Sequence, residues 1–167
     1  TGFAQGGTYT VKLNLNGTDG MIKVQPEEIR DPIDAILQAI DNSVSGYNKK
    51  SLLSRFNAGE TIAPDQIFMD IYGHAYEIYE RTEGVVDVAA APLFDIWGFG
   101  FANDSLPSYD KVAQVLAESG MERLARDMYP AAEGGLNVSE ILEHEGVLPK
   151  LNYNAIAQGY SCDVVAR

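Results

Sequence analysis

Asp87 is the most telling of the residues in this chain that could do chemistry. It lies between Val86 and Val88 in the run Gly84-Val85-Val86-Asp87-Val88-Ala89-Ala90-Ala91-Pro92-Leu93. A carboxylate in so apolar a setting is costly to bury alone, so it needs a ligand or a backbone partner. Tyr47, in Ser45-Gly46-Tyr47-Asn48-Lys49-Lys50-Ser51, reads by itself as a half-buried surface tyrosine, and the two lysines after it as a solvated pair. Arg55, in Leu52-Leu53-Ser54-Arg55-Phe56-Asn57, fits a clamp on a carboxylate or carbonyl better than a catalytic group. Trp97 and Phe99, in Trp97-Gly98-Phe99-Gly100, suit core or lid packing. Gly6, in Ala4-Gln5-Gly6-Gly7-Thr8-Tyr9, leads into a strand and could let a ligand approach the backbone.

Other chemistries find little support. Cys162 is the one cysteine, so no internal disulfide forms, and with only Arg167 nearby as a positive charge it reads as a buried thiol rather than a nucleophile. His74 and His144 lie far apart and outside any metal-ligand spacing. There is no phosphate-binding P-loop, no Gly-x-Ser-x-Gly and no His-Glu-x-x-His, and Gly98-Phe99-Gly100 lacks the third glycine of a dinucleotide fingerprint.

The elements that must position these residues follow from periodicity. Residues 8–15 alternate, with Tyr9, Val11, Leu13 and Leu15 on one side, as a half-buried strand does. Asn16-Gly17 and Asp19-Gly20 mark a turn, and Met21-Ile22-Lys23-Val24 can return as a second strand. Asp31-Pro32 predicts a helix start, followed by an apolar stripe of Ile33, Ile36, Leu37, Ile40 and Val44. Pro64 opens a second helix that buries Ile67, Phe68, Ile71, Tyr72, Ala75, Ile78 and Tyr79, with Gly84 as its left-handed cap. Ser108 caps a shorter helix carrying Val112, Val115 and Leu116, closed by Gly120. Short strands are expected within 121–153, including 147–153, and a helix from about 155 to Arg167 with Ile156, Tyr160 and Val164 on one stripe. Antiparallel strands interrupted by paired helices give an α+β class. An apolar-striped helix that ends without a cap suggests a polypeptide that continues further.

Net charge limits the partners. At 167 residues and −12, the chain repels phosphate backbones and anionic lipid, so no nucleic acid and no membrane surface is expected as a partner. No stretch is long and apolar enough to cross a bilayer, and the start Thr1-Gly2-Phe3-Ala4-Gln5 shows no signal peptide. A phosphorylated ligand would need a helix N-terminus, a local basic group or a metal to offset the repulsion.

Taken in order, the Gly-Thr-aromatic strand start, Ser45-x-Tyr47 with Ser54-Arg55-Phe56-Asn57, Gly84-x-x-Asp87 with Pro92-Leu93 and Trp97-Gly98-Phe99-Gly100, and Ile156-Ala157-Gln158-Gly159-Tyr160 resemble the ApbE family of FAD:protein FMN transferases. The match spans nearly the whole chain. It implies an α+β, T-fold-related domain with an antiparallel sheet and packed helices, of which residues 1–167 are the N-terminal portion. It further implies that Gly6, Tyr47, Val85, Val86, Asp87, Asn152 and Gln158 contact FAD, and that the Ala155 carbonyl helps bind Mg²⁺. One cleft should then gather Tyr47, Asp87 and Asn152.

The sequence departs from the family at Asn152-Tyr153, where Asp-Leu is usual, and at Ala89, where Thr is common. The family's His-x-Ile-Asp-Pro-type segment and its Asp/Asp/Thr metal group have no counterpart in these residues, so the C-terminal portion with the main metal ligands is absent.

The implied chemistry is Mg²⁺-dependent transfer of FMN from FAD. A Thr or Ser hydroxyl of an acceptor flavoprotein attacks the flavin-side phosphorus, and AMP leaves. Hydrolysis of FAD to FMN and AMP, or FAD binding without transfer, are the alternatives. The resemblance also implies a bacterial envelope protein on the periplasmic side, lipid-anchored outside this chain, whose acceptors are subunits of respiratory redox pumps.

Overall fold

The structure, a computed structural model, describes residues 2–4, 7–10, 26–98, 106–124 and 138–167. Its first long element is α1 (Pro26–Val44), which buries Leu37, Ile40 and Val44 along the expected stripe, with Ile36 partly buried beside them. The helix does not begin at Asp31-Pro32 but runs through it: Arg30 Nε lies 3.2 Å from Asp34 Oδ2, an i,i+4 pair that spans the proline. Pro32 and Glu28 are both exposed, so the gap that the proline makes in the helix ladder lies at the surface.

After α1, residues 45–51 form a loop into α2 (Leu52–Asn57), whose N-cap is Ser51. Then comes α3 (Gln66–Arg81), capped by Asp65 rather than begun at Pro64; Asp65 Oδ1 accepts from the Phe68 N–H at 2.8 Å and from Ser43 Oγ at 2.6 Å. α3 buries Phe68, Ile71, Tyr72 and Ala75, most of the predicted face. Its C-terminus is shifted by one residue from expectation. Glu83 (φ +53°) takes the left-handed position, its N–H bonding Glu80 O at 3.1 Å, while the Gly84 (φ +81°) N–H reaches Tyr79 O at 2.9 Å. This paired pattern is a Schellman cap with a non-glycine residue at its strained position.

A 3₁₀ turn (Val88–Ala90) leads into α4 (Ala91–Ile96), and Ser108 caps α5 (Tyr109–Ala117) as predicted. A second 3₁₀ turn (Met121–Arg123), α6 (Val138–Glu145) and α7 (Asn154–Ala166) complete the order. α1 packs on α2, α3 and α7, and α3 on α7. Their shared core includes Phe56, Phe68 and Tyr153, with the Phe68 and Tyr153 rings edge to face at 5.4 Å.

The described residues are mostly helical. Strand pairing is seen between β1 (Gly2–Ala4) and β2 (Gly7–Tyr9), antiparallel with Phe3 opposite Thr8. Most of the predicted 8–15 strand and all of 21–24 lie outside the described residues. The segment 147–153 is not a strand. Its main chain at Leu151 is instead paired by a side chain, that of Asn57, which donates to Leu151 O and accepts from Leu151 N–H, both at 2.8 Å. The buried face of α7 is also offset from the expected one: Ala157 and Ser161 are buried, while Ile156, Tyr160 and Val164 are intermediate. Cys162, one position beyond Ser161, is exposed, not buried.

Candidate functional site

A cavity of about 750 Å³ opens where three stretches distant in sequence converge. Its first wall is the α3–α4 link, from Gly84 to Val88 with Ala90. Thr82 shapes this link by taking the Val86 N–H on its hydroxyl at 3.1 Å and the Val85 N–H on its carbonyl at 3.1 Å. Val85 is left 85% exposed, an apolar side chain held out at the rim.

Asp87 provides the joint. Its backbone is extended and it caps the 3₁₀ turn, Oδ1 accepting from the Ala89 N–H at 2.7 Å. Oδ2 accepts from the Met121 N–H at 3.1 Å, tying the link to the second 3₁₀ turn. Burial raises the Asp87 pKa; the two N–H groups pull it back down, and the Glu122 charge adds to the rise. The backbone partner required by an aspartate between two valines is therefore present.

The second wall is Leu93 and Phe94 of α4 with Leu116, Ser119, Gly120 and Glu122 at the end of α5. Phe94 and Leu116 are half-exposed or more, and Leu116 faces this opening. Gly120 (φ +122°) brings the chain against Glu122, whose carboxylate a Cβ there would strike. Tyr79 Oη donates to Glu122 Oε2 at 3.5 Å, and burial followed by the Glu122 charge raises the tyrosine pKa.

The third wall is the start of α7, with Asn152, Asn154 and Ala155. The Asn152 N–H bonds Val88 O at 2.8 Å, which joins this wall to the first, and Asn152 Oδ1 accepts from the Asn154 N–H at 2.9 Å. Asn57 fixes the preceding residue, Leu151, by its two bonds.

The cavity thus gathers Val85, Val86, Asp87, Asn152 and Ala155. The expectation of a single cleft including Tyr47 is not met. Tyr47 does not line the cavity but sits half-exposed in the α1–α2 loop, its N–H on Ser45 Oγ at 3.3 Å. Gln158 is exposed one turn beyond Asn154 on α7 and also does not line it. Gly6 and Phe99 lie outside the described residues. Trp97 is half-exposed at the end of α4, and Arg55 clamps Glu60 at 2.8 Å, as its reading required.

Sequence reasoning passed over the serines. Ser45 O accepts from Ser51 Oγ at 2.6 Å and Ser54 Oγ at 3.1 Å, and Ser45 Oγ takes the N–H groups of Tyr47 and Asn48, so these hydroxyls build the loop that carries Tyr47. Ser51 directly before Leu52-Leu53, in the N-cap position of α2, was the available signal.

Chemically, the cavity lining combines valine, leucine and phenylalanine side chains with two carboxylates and two amides. Such a surface suits a ligand with a flat apolar ring and hydrogen-bonding groups. No Lys, Arg or His is among its described lining residues, and the positive end of the α7 dipole opens at Asn154. Among the described residues no group of three or more His, Cys, Asp or Glu side chains could hold a metal ion. Asp87 already spends both oxygens on main-chain N–H groups. These residues do not make a metal cage by themselves.

The model of the ApbE family matches residues 6–167. A FAD:protein FMN transferase of Haemophilus influenzae is 30% identical over 172 residues, covering 99% of this chain and 47% of the relative. One of Escherichia coli K12 is 28% identical over 147 residues, covering 84% of this chain and 39% of the relative. Among solved structures, the flavin transferase ApbE from Vibrio cholerae superposes with a TM-score of 0.69 at 26% identity, covering 89% of this chain and 46% of that one. The apo flavinyl transferase ApbE of Pseudomonas stutzeri shares the fold at a TM-score of 0.68. The chain spans about half the length of the curated relatives it matches.

Proposed function

The chain belongs to the ApbE family, with an ApbE-like fold, and from that premise we propose that it supplies the FAD-holding portion of an FAD:protein FMN transferase. The observation that carries the reading is the cavity itself. It joins Val85, Val86 and Asp87 to Asn152 and Ala155, residues that the family resemblance marks as ligand contacts and that sequence distance alone would not bring together.

In this reading the valines and Phe94 cover a ring of FAD, and the Asn152 Nδ2 donates toward it while Oδ1 keeps its bond to the Asn154 N–H. Asp87 acts mainly by holding the link in place, since its oxygens are occupied by Ala89 and Met121. Gly6, Tyr47 and Gln158 enter as FAD contacts only through the resemblance. By the resemblance, the Ala155 backbone carbonyl would help hold Mg²⁺, which would need further ligands that the cavity residues do not supply. Bound Mg²⁺ would neutralise the diphosphate, which an acidic chain otherwise repels.

The reaction is attack by a Thr or Ser hydroxyl of an acceptor flavoprotein on the flavin-side phosphorus. The new O–P bond forms as the diphosphate P–O bond breaks, the hydroxyl proton is lost, and AMP leaves. We place this activity in a longer, lipid-anchored protein on the periplasmic side of a bacterial envelope, acting on subunits of respiratory redox pumps.

The test is to incubate the 167-residue chain with FAD, Mg²⁺ and a threonine-bearing acceptor peptide, then weigh the peptide and assay AMP. The chain is expected to bind FAD weakly and leave the peptide unmodified. An FMN adduct would overturn the assignment of transfer to a longer protein, and AMP release without an adduct would favour hydrolysis.

A further inference from the structure

We propose that Asn57 is a positioning residue for the ligand cavity, holding the third wall through the main chain of Leu151; the consequence for FAD rests on the reading above. Asn57 does not line the cavity. It is half-buried at the end of α2, and its carboxamide meets Leu151 edge on, Nδ2 donating to the carbonyl and Oδ1 accepting the N–H, both at 2.8 Å. A side-chain amide presents the same donor and acceptor as a peptide unit, so Asn57 stands in for a neighbouring strand.

The next residue along, Asn152, donates its N–H to Val88 O at 2.8 Å, and its Oδ1 accepts from the Asn154 N–H at 2.9 Å. The chain from Leu151 to Asn154 is thus held at both sides, by α2 and by the Asp87 link. Without Asn57, the Leu151 carbonyl and N–H lose their partners in a residue that is 2% exposed. An unpaired main-chain group in so dry a place drives the segment to move until it finds water. That movement carries Asn152, Asn154 and Ala155 away from Val85 and Asp87.

Hydrogen exchange of the whole chain tests this, comparing wild type with Asn57→Ala, Asn57→Asp and a core control, Ile71→Val, which lies in α3 and leaves both Asn57–Leu151 bonds in place. Asn57→Asp keeps the acceptor for the Leu151 N–H but turns the other oxygen against the carbonyl. In both Asn57 variants the amides of Leu151, Asn152 and Asn154 are expected to exchange about ten- to a hundredfold faster, with α3 amides changed far less. Ile71→Val should speed all core amides together. FAD titration of the same proteins should show weaker binding in the Asn57 variants than in Ile71→Val at matched loss of thermal stability.

Uniform acceleration across α3 and α7 in the Asn57 variants would make the residue a general stabiliser and overturn the proposal. So would unchanged protection at Leu151. Should wild type fail to bind FAD at all, the flavin reading falls, and the exchange pattern still decides the positioning role.

Discussion

The Asp87 carboxylate accepts the main-chain N–H of Met121 at 3.1 Å, across 34 residues of chain. With its second bond, to Ala89, it locks the 3₁₀ turn after α3 against the 3₁₀ turn after α5. Two walls of the cavity meet at this one side chain.

Asp87→Asn should therefore destabilise the fold. The amide can accept only one of the two N–H groups and turns its own NH₂ toward the other. The expected loss is about 1–3 kcal/mol, as for a partly buried donor left unpaired. Urea unfolding followed by circular dichroism measures it; stability within about 0.5 kcal/mol of wild type, the range of neutral surface changes, would contradict the role.

The same group sets a pH dependence. Its pKa in the folded protein is raised above the usual 3.8, chiefly by burial. Between those two values the unfolded chain has released the proton and the folded one keeps it, so the folded state binds more protons. The stability tied to protonated Asp87 is present below about 3.8 and is lost as pH rises through the raised folded value. The stability difference between wild type and Asp87→Asn should move against wild type over that window and be flat above it. A difference that moves in favour of wild type as pH rises would show a lowered pKa instead.

Glu83→Gly should stabilise the protein. Glu83 holds φ +53° at the strained position of the Schellman cap. Relief of left-handed strain, less the extra freedom glycine brings to the unfolded chain, predicts a gain of about 0.5–1 kcal/mol. Thermal melts check this, and a loss would mean that the Glu83 side chain makes a compensating contact.

Tyr153 stands where the family usually has leucine, and its ring is fully buried with a hydroxyl that has no hydrogen-bond partner among the described residues. Burial pushes that phenol well above the ordinary tyrosine range. Tyr153→Phe keeps the edge-to-face contact with Phe68 and removes the unpaired oxygen, so stability should hold or rise by about 1 kcal/mol. Tyr153→Ala should cost about 3–5 kcal/mol through the cavity it leaves. A large loss in Tyr153→Phe would reveal a partner for the hydroxyl.

Much of this was legible from residue types. The helix stripes at Leu37–Val44 and Phe68–Ala75 and the Ser108 cap follow local rules, and the structure keeps them. Asp87 announced a backbone partner through its apolar neighbours, though not that one would be Met121. The failures came where tertiary contacts overrode local signals. Pro32 looked like a helix start because the sequence does not show that the helix before it is already formed. Residues 147–153 looked like a strand because a side chain, Asn57, can satisfy the main chain as a strand would. Tyr47 sits in a loop shaped by serine bonds and outside the cavity lining, which motif order could not reveal.

In the proposed function, the cavity between the Val85–Val88 link and the start of α7 receives the flavin nucleotide. Amide NMR of the labelled chain, titrated with FAD in the presence of Mg²⁺, tests it directly and detects weak binding. Shifts are expected to concentrate at Val85, Val86, Asn152 and Ala155 and to be reduced in Asn57→Ala. Shifts confined to another face, such as α6 or the exposed side of α1, would contradict it, as would no shift at all.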